Sequence, residues 1–191
     1  MFAFKNKYFL IIESIKNIEL SQIKKHNKFI IIYRPKKNID NIAKIIDFRK
    51  KCKIKKIEFY IANDFKLCVT IKADGIYLSS YNNAFKALNL KKSNFNIIGS
   101  AHNFNEINMK VKQGCGYILL SKLFLVNYDK KSPHLGVIKY SKFLVDVYRK
   151  LVPLGGINIK NLNKLKSLNC EGFALLSEIK KKPANIINRL F

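Results

Sequence analysis

The sequence predicts an α/β fold, a single (β/α)8 TIM barrel with short loops, on three observations. Short apolar runs alternate with longer segments of helical period along the chain, the runs number eight, and asparagines and glycines fall where helices should begin and end. Alternation of this kind is the mark of βαβ units around a parallel sheet. Eight strands is the count that closes such a sheet on itself. At 191 residues the chain is at the short end for an architecture that usually starts near roughly 200 residues, so its connections must be brief.

Taken in order, strands are predicted at residues 8–12, 29–33, 57–61, 75–78, 96–99, 117–120, 152–154 and 172–176. Helices are predicted at 21–26, 39–51, 64–72, 84–90, 105–113, 140–149 and 159–168, with the tail 184–190 as the last. Asn38, Asn63 and Asn158 stand where N-caps belong. Gly114 and Asn169 stand where helices should stop. No linker, repeat or low-complexity stretch divides residues 1–191, so one domain is expected.

Composition narrows the function classes. A hydrophobic fraction of 48%, with 12% aromatic residues, is enough for a packed core and excludes global disorder. The formal net charge of +25, from 37 Lys and Arg against 12 Asp and Glu, raises the question of nucleic acid. The lysines, however, are spread over the whole length, in pairs such as Lys24-Lys25, Lys50-Lys51, Lys55-Lys56 and Lys91-Lys92, and not gathered in one stripe. A solvated basic surface or a site for anionic phosphates is the better reading, and no nucleic-acid partner is expected.

Cys52, Cys68, Cys115 and Cys170 show no CxxC spacing and read as reduced thiols in or near the core. The apolar run that begins at Tyr8 is too short for a leader and ends at Glu13, and no stretch is long enough to span a membrane. A cytoplasmic protein with no membrane partner is expected, and self-association is left open. His26, His102 and His134 lack the spacing of a zinc site. There is no Ser-His-Asp arrangement, HExxH helix, P-loop or GxGxxG.

Four segments at predicted strand ends can carry chemistry. Val152-Pro-Leu-Gly-Gly-Ile-Asn158 runs from the seventh strand into a helix through Gly155-Gly156, and Ser177 follows the eighth; loops after strands seven and eight often build a phosphate site. A tight turn that needs glycine also accounts for the pair, but its rank in the strand order favours the phosphate site. Arg34 and Lys36 follow the second strand, alternate onto one side and can grip a pyrophosphate, or can be solvated cations. Asn63-Asp64 follows the third strand, where a carboxylate can hold a divalent cation or simply cap the next helix. Ser100-Ala101-His102-Asn103 follows the fifth, and His102 is either an acid–base group or a hydrogen-bonded structural residue.

In order, these pieces resemble the thiamine-phosphate synthase/TenI family, from about Tyr8 to Ser177. The likeness is carried by Ile97-Ile-Gly-Ser-Ala-His-Asn103, by Gly114-Cys-Gly-Tyr-Ile-Leu-Leu-Ser121, by Leu135-Gly136, and by Leu154-Gly-Gly-Ile157 with Gly172-Phe-Ala-Leu-Leu-Ser177. Earlier, Ala73-Asp-Gly-Ile-Tyr-Leu78 resembles the family's Ala-Asp-Gly-Val-His-Leu, and Ala62-Asn-Asp64 its Asn-Asp pair.

The resemblance implies transfer of a pyrimidinylmethyl group from its pyrophosphate ester to the nitrogen of a thiazole phosphate, giving thiamine phosphate and pyrophosphate. By the same analogy Arg34 and Lys36 hold the pyrophosphate, and Asp64 ligates Mg2+ with Asn82 at the place of a second carboxylate. Asn63 and Ser100 meet the pyrimidine or leaving group, and Gly155, Gly156 and Ser177 hold the thiazole phosphate. His102 lines the mouth and Lys130 stands in for a catalytic lysine beyond the sixth strand. The sequence departs from the family pattern at Ile32, Tyr77, Asn82 and Val126. Two alternatives follow: a TenI-like protein that binds or isomerises a thiazole phosphate, with Lys122 where that branch uses a His, and a basic barrel that associates with nucleic acid.

Overall fold

Runs of Ile, Phe and Tyr fold into strands because branched and aromatic side chains pack well on a pleated surface. The computed structural model describes residues 7–23, 26–36, 38–91, 95–126, 133–146 and 150–181. Eight strands, β1 Lys7–Ile12, β2 Phe29–Tyr33, β3 Glu58–Ala62, β4 Gly75–Leu78, β5 Asn96–Ala101, β6 Tyr117–Leu120, β7 Lys150–Pro153 and β8 Gly172–Leu175, pair in parallel in the order β7-β6-β5-β4-β3-β2-β1-β8. A parallel bridge between Leu154 and Ala174 joins the two ends of that order. The predicted (β/α)8 barrel is therefore the observed fold, with every strand within about two residues of its expected bounds.

Closure forces each strand to be apolar on both faces. Along β1, Tyr8, Leu10 and Ile12 face the helices while Phe9 and Ile11 face the barrel interior. The same division gives Ile30 and Ile32 of β2, Tyr60 of β3, Tyr77 of β4, Ile98 of β5, Leu119 of β6, Val152 of β7 and Ala174 of β8 to the inner core. The outer core fills the space between strands and helices α1 Ile42–Ile54, α2 Phe65–Thr70, α3 Ala87–Lys91, α4 Phe104–Lys112, α5 Gly136–Asp146 and α6 Ser177–Lys181.

Two predicted helices are corrected. Where residues 21–26 are described they are not α-helical: Leu20–Gln22 and His26–Lys28 are short 3-10 turns. Glu19, which precedes Leu20–Gln22, makes no side-chain cap bond that would start a longer helix. Residues 159–168 instead form a 3-10 helix at Leu162–Ser167. Its asparagines compete for the backbone: Asn158 Oδ1 accepts from Lys160 N at 2.9 Å and Asn161 Oδ1 from Asn158 N at 2.8 Å. The tail 184–190 lies outside the described residues.

All three predicted N-caps are displaced: Asn161, not Asn158, precedes the 3-10 helix, without a side-chain cap bond. Asn41, not Asn38, caps α1, accepting from Ala43 N and Lys44 N. Asp40 is spent on a tether: its backbone N donates to Tyr33 Oη at 2.8 Å, and its carboxylate accepts from Ser14 Oγ and Ile15 N. Asp64, not Asn63, caps α2, accepting from Leu67 N at 2.8 Å. Gly114, with φ +76°, follows α4 as expected.

One carboxylate ties three elements of the barrel together. Asp74, just before β4, accepts from the nearly buried Arg49 of α1 at 2.6 Å and from Phe59 N of β3 at 2.7 Å. Burial raises the Asp74 pKa, and the Phe59 N–H and the Arg49 charge act against that rise. Asp74→Ala leaves a buried cation and a backbone N–H without their acceptor. The variant is expected to lose about 2–4 kcal/mol of unfolding free energy, read from the denaturant midpoint at neutral pH.

Candidate active site

Two-residue periodicity extends the inner face of each strand into the mouth at its C-terminal end. Glu13 continues the row Phe9–Ile11, Arg34 the row Ile30–Ile32, Ser100 follows Ile98, Ser121 follows Leu119, and Leu176 follows Ala174. Polar groups thus begin where the inner core ends.

The first cavity, of about 520 Å³, is lined by Arg34, Tyr77, Ser100, His102, Gly155, Gly156 and Ser177, and also by Lys122, Val126, Asn158 and Glu178. Its wall is a glycine turn. Gly155 and Gly156 have φ of +95° and +69°, and a Cβ on Gly156 would come within 2.5 Å of the Leu125 carbonyl oxygen. The approach is that close because the loop after β6 is bonded to this turn: Leu123 N donates to Leu154 O and Phe124 N to Gly155 O. On its other side the same loop accepts at Lys122 O and Leu123 O from Leu135 N and Gly136 N. The Gly156 carbonyl accepts from the side chains of Asn158 and Asn161.

On the floor, Tyr77 is fully buried, and burial raises its pKa against a hydrogen bond with Ser100 and the nearby Arg34 charge. It is a neutral phenol.

His102 is fixed from the side. Glu106 Oε2 accepts from His102 N at 2.9 Å and lies 3.0 Å from His102 Nδ1, while Asn103 and Glu106 exchange two further bonds. Desolvation alone would raise the Glu106 pKa; the hydrogen bonds from His102 and Asn103 together outweigh it, so the carboxyl sits below its usual range. The geometry supplies an oriented imidazole at the cavity edge, the arrangement acid–base chemistry requires.

The second cavity, of about 440 Å³, adjoins the first and is lined by Glu13, Tyr33, Arg34, Lys36, Asn63, Asp64 and Tyr81. Lys36 Nζ is 3.5 Å from Glu13 Oε1. Asp64 spends one carboxylate oxygen on the α2 cap. Asn63 adopts φ +58°, and its side chain cross-links the loops after β3 and β4. Its Oδ1 accepts from Ser79 N at 3.0 Å and Asn82 Nδ2 at 3.0 Å, and its Nδ2 donates to Tyr81 Oη at 3.3 Å.

The residues expected from the sequence therefore divide between two adjoining cavities, and Arg34 lines both. Asn82 lines neither; its side chain reaches Asn63, and its Oδ1 accepts from Ala84 N. Lys130 lies outside the described residues. Sequence reasoning missed Glu13, Tyr81, Glu106 and Glu178. Glu13 carried a readable signal, a carboxylate at a strand end, and Glu106 carried another, a capping-box position three residues after Asn103.

Comparisons with known proteins concern the family and the barrel. The family model described as "Thiamine monophosphate synthase" matches residues 15–179. The chain is 29% identical over 170 residues to thiamine-phosphate synthase of Prochlorococcus marinus subsp. pastoris, covering 87% of this chain and 47% of that protein. To thiamine-phosphate synthase of Clostridioides difficile it is 27% identical over 143 residues, covering 73% of this chain and 67% of that protein. The chain spans about half the length of the Prochlorococcus relatives it matches. Among solved structures, thiamine phosphate pyrophosphorylase from Pyrococcus furiosus superposes with a TM-score of 0.77 at 17% identity, covering 98% of this chain and 94% of that one. The 3-hexulose-6-phosphate synthase from Salmonella typhimurium superposes at 0.70 with 11% identity, covering 96% of each chain. These structural likenesses concern the barrel.

Two outcomes test the local geometry. Gly156→Ala should weaken binding of a phosphate monoester by about tenfold or more, because the added methyl drives the turn and the β6 loop apart; titration calorimetry reads it. Glu106→Gln should cost stability at neutral pH. Because the folded-state pKa of Glu106 lies below 4.5, its contribution is present above that value and is lost as pH falls through the lowered one. Denaturant melts of the two proteins should therefore converge in acid.

Proposed function

Because the chain belongs to the thiamine monophosphate synthase family, we propose that its barrel mouth joins a hydroxymethylpyrimidine pyrophosphate to a thiazole phosphate, giving thiamine phosphate and pyrophosphate. The observation that carries this reading is Arg34, which lines both cavities and so stands where two substrates would meet. The bond between the pyrimidine methylene and the pyrophosphate oxygen breaks, the oxygen keeping the electron pair. The thiazole nitrogen forms the new bond to that carbon.

Negative charge grows on the departing pyrophosphate, so cations already in place stabilise the transition state more than the ground state. Arg34 offers a planar fork for phosphate oxygens and Lys36 a point charge. The backbone of the Gly155-Gly156 turn, with Ser177, would hold the thiazole phosphate in the first cavity. Tyr77 and Ser100, on the floor, would orient the rings. His102 would contact substrate at the rim, and Lys130 would add a further cation.

Mg2+ is the cofactor this reading includes, and when bound it would neutralise charge on the pyrophosphate. The second cavity provides oxygen donors beside two cations, with the carboxylates of Asp64 and Glu13 both on its wall. Such a donor set fits an ion that keeps water and shares substrate phosphates more than it fits an all-protein cage. Among the described residues there is no cluster of three His, Cys, Asp or Glu. Asp64 would be the principal ligand, and Asn82 would act through Asn63.

A TenI-like reading, binding or isomerising a thiazole phosphate alone, is favoured by one observation. The residues assigned to that phosphate all line the first cavity, whereas Asn82 has no place in the second. The protein with Mg2+ and both substrates should form thiamine phosphate, and Arg34→Ala should lower kcat/KM by about a hundredfold. Absence of both turnover and affinity for the pyrimidine pyrophosphate would overturn the synthase reading. Metal-independent binding of the thiazole phosphate alone would then establish the other.

A further inference from the structure

The loop after β4, residues 79–84, forms a partition: Ser80 lines the first cavity and Tyr81 the second. From within the mouth it is tied to Asn63, through Ser79, Tyr81 and Asn82. From outside the barrel it is held by two side chains of the α4 region. Lys110 and Gln113 are both completely buried. Lys110 Nζ donates to Asn82 O at 2.7 Å and to Gln113 Oε1 at 2.9 Å. Gln113 Nε2 donates to Asn82 O at 2.9 Å and to Ala84 O at 2.9 Å.

A buried ammonium is expensive, and an apolar side chain of the same length would fill this space at lower cost. No carboxylate lies within ion-pair distance of Lys110 among the described residues, so its partners are a backbone carbonyl and an amide. Desolvation lowers its pKa accordingly. The arrangement meets the cost by satisfying the loop: Asn82 O accepts two donors and Ala84 O one. With its carbonyls fixed from behind, the peptide between Ser79 and Ala84 has one orientation, which in turn presents the Asn82 amide to Asn63 and stands Tyr81 at the rim.

We propose that Lys110 and Gln113 are positioning residues, a clamp on the β4 loop that holds Asn82, Asn63 and Tyr81 in the geometry of the second cavity. Neither touches the cavities, and both act through the loop. The proposal rests on the two-substrate reading of the mouth for its kinetic consequence, but the clamp itself is independent of any reaction.

Lys110→Met keeps the aliphatic stem and removes the donors; Gln113→Met removes the other half of the clamp and serves if the first variant folds poorly. Amide hydrogen exchange of the full chain should accelerate by about tenfold in residues 79–84, with α1 and β3 unchanged. In turnover assays the KM for the pyrimidine pyrophosphate should rise by about tenfold, with the KM for the thiazole phosphate unchanged, since its loops follow β7 and β8. Unchanged exchange in residues 79–84, or acceleration spread evenly over the chain, overturns the clamp. Faster exchange with both KM values raised alike, or neither, overturns the positioning role. A wild-type protein with neither turnover nor affinity for the pyrimidine pyrophosphate overturns the synthase reading, and the exchange measurement still decides the clamp.

Discussion

Closing a parallel sheet into a barrel imposes the constraint on which the rest of this molecule depends: every strand must be apolar on both faces, with two distinct cores. Eight strands of four to six residues meet it by strict alternation, Phe9, Ile11, Ile30, Ile32, Tyr60 and Tyr77 inward, their neighbours outward. The same period decides where chemistry can be placed. The inner row cannot carry charge while it is enclosed, so Glu13, Arg34 and Ser121 appear one step past the strand ends, and Ser100 near the end of β5. The candidate site is the continuation of the core pattern into water.

A mouth built from eight separate loops needs those loops fixed relative to one another, and each junction is made from backbone groups with a small number of side chains. The β6 loop is bonded to the glycine turn on one side and to Leu135 and Gly136 on the other. Asp40 ties the loops after β1 and β2 through Ser14 and Tyr33. Asn63, in a left-handed conformation favourable to few residues other than glycine, joins the loops after β3 and β4. Preorganisation of this kind lets donors act on a developing charge without rearranging first.

Much of this was legible in the sequence, and the failures have identifiable causes. Strand positions and their number followed from apolar runs, because burial on both faces leaves a dense signal. Helix starts were displaced where a side chain had a stronger tertiary use: Asp40 was taken by Ser14 and Tyr33, so α1 waited for Asn41. The asparagine-rich stretch after β7 carried helical period but bonded to its own backbone and became 3-10. The glycine turn was found from its rank after the seventh strand, and Arg34 from its place at the end of the second. Lys110 could not be found, since one buried lysine among 37 Lys and Arg has no distinguishing pattern.

That contrast shows which residues carry information in a chain of net charge +25. Lysine is so frequent that most positions say little, whereas only 12 acids are available, and several of them pair at places where the fold must be specified. Asp74 joins α1 to β3 and β4, Glu106 orients His102, Glu58 meets Lys7 and Tyr60 at the barrel's other end, and Glu171 meets Lys150 and Tyr117 there. Glu13 and Asp64 stand in the second cavity, beside Arg34 and Lys36. A carboxylate surrounded by excess cations is in no danger of lacking a partner, so its position is set by geometry more than by electrostatic scarcity. For a basic protein of this composition, the acids at strand ends and first helical turns are therefore the residues from which a site is best read.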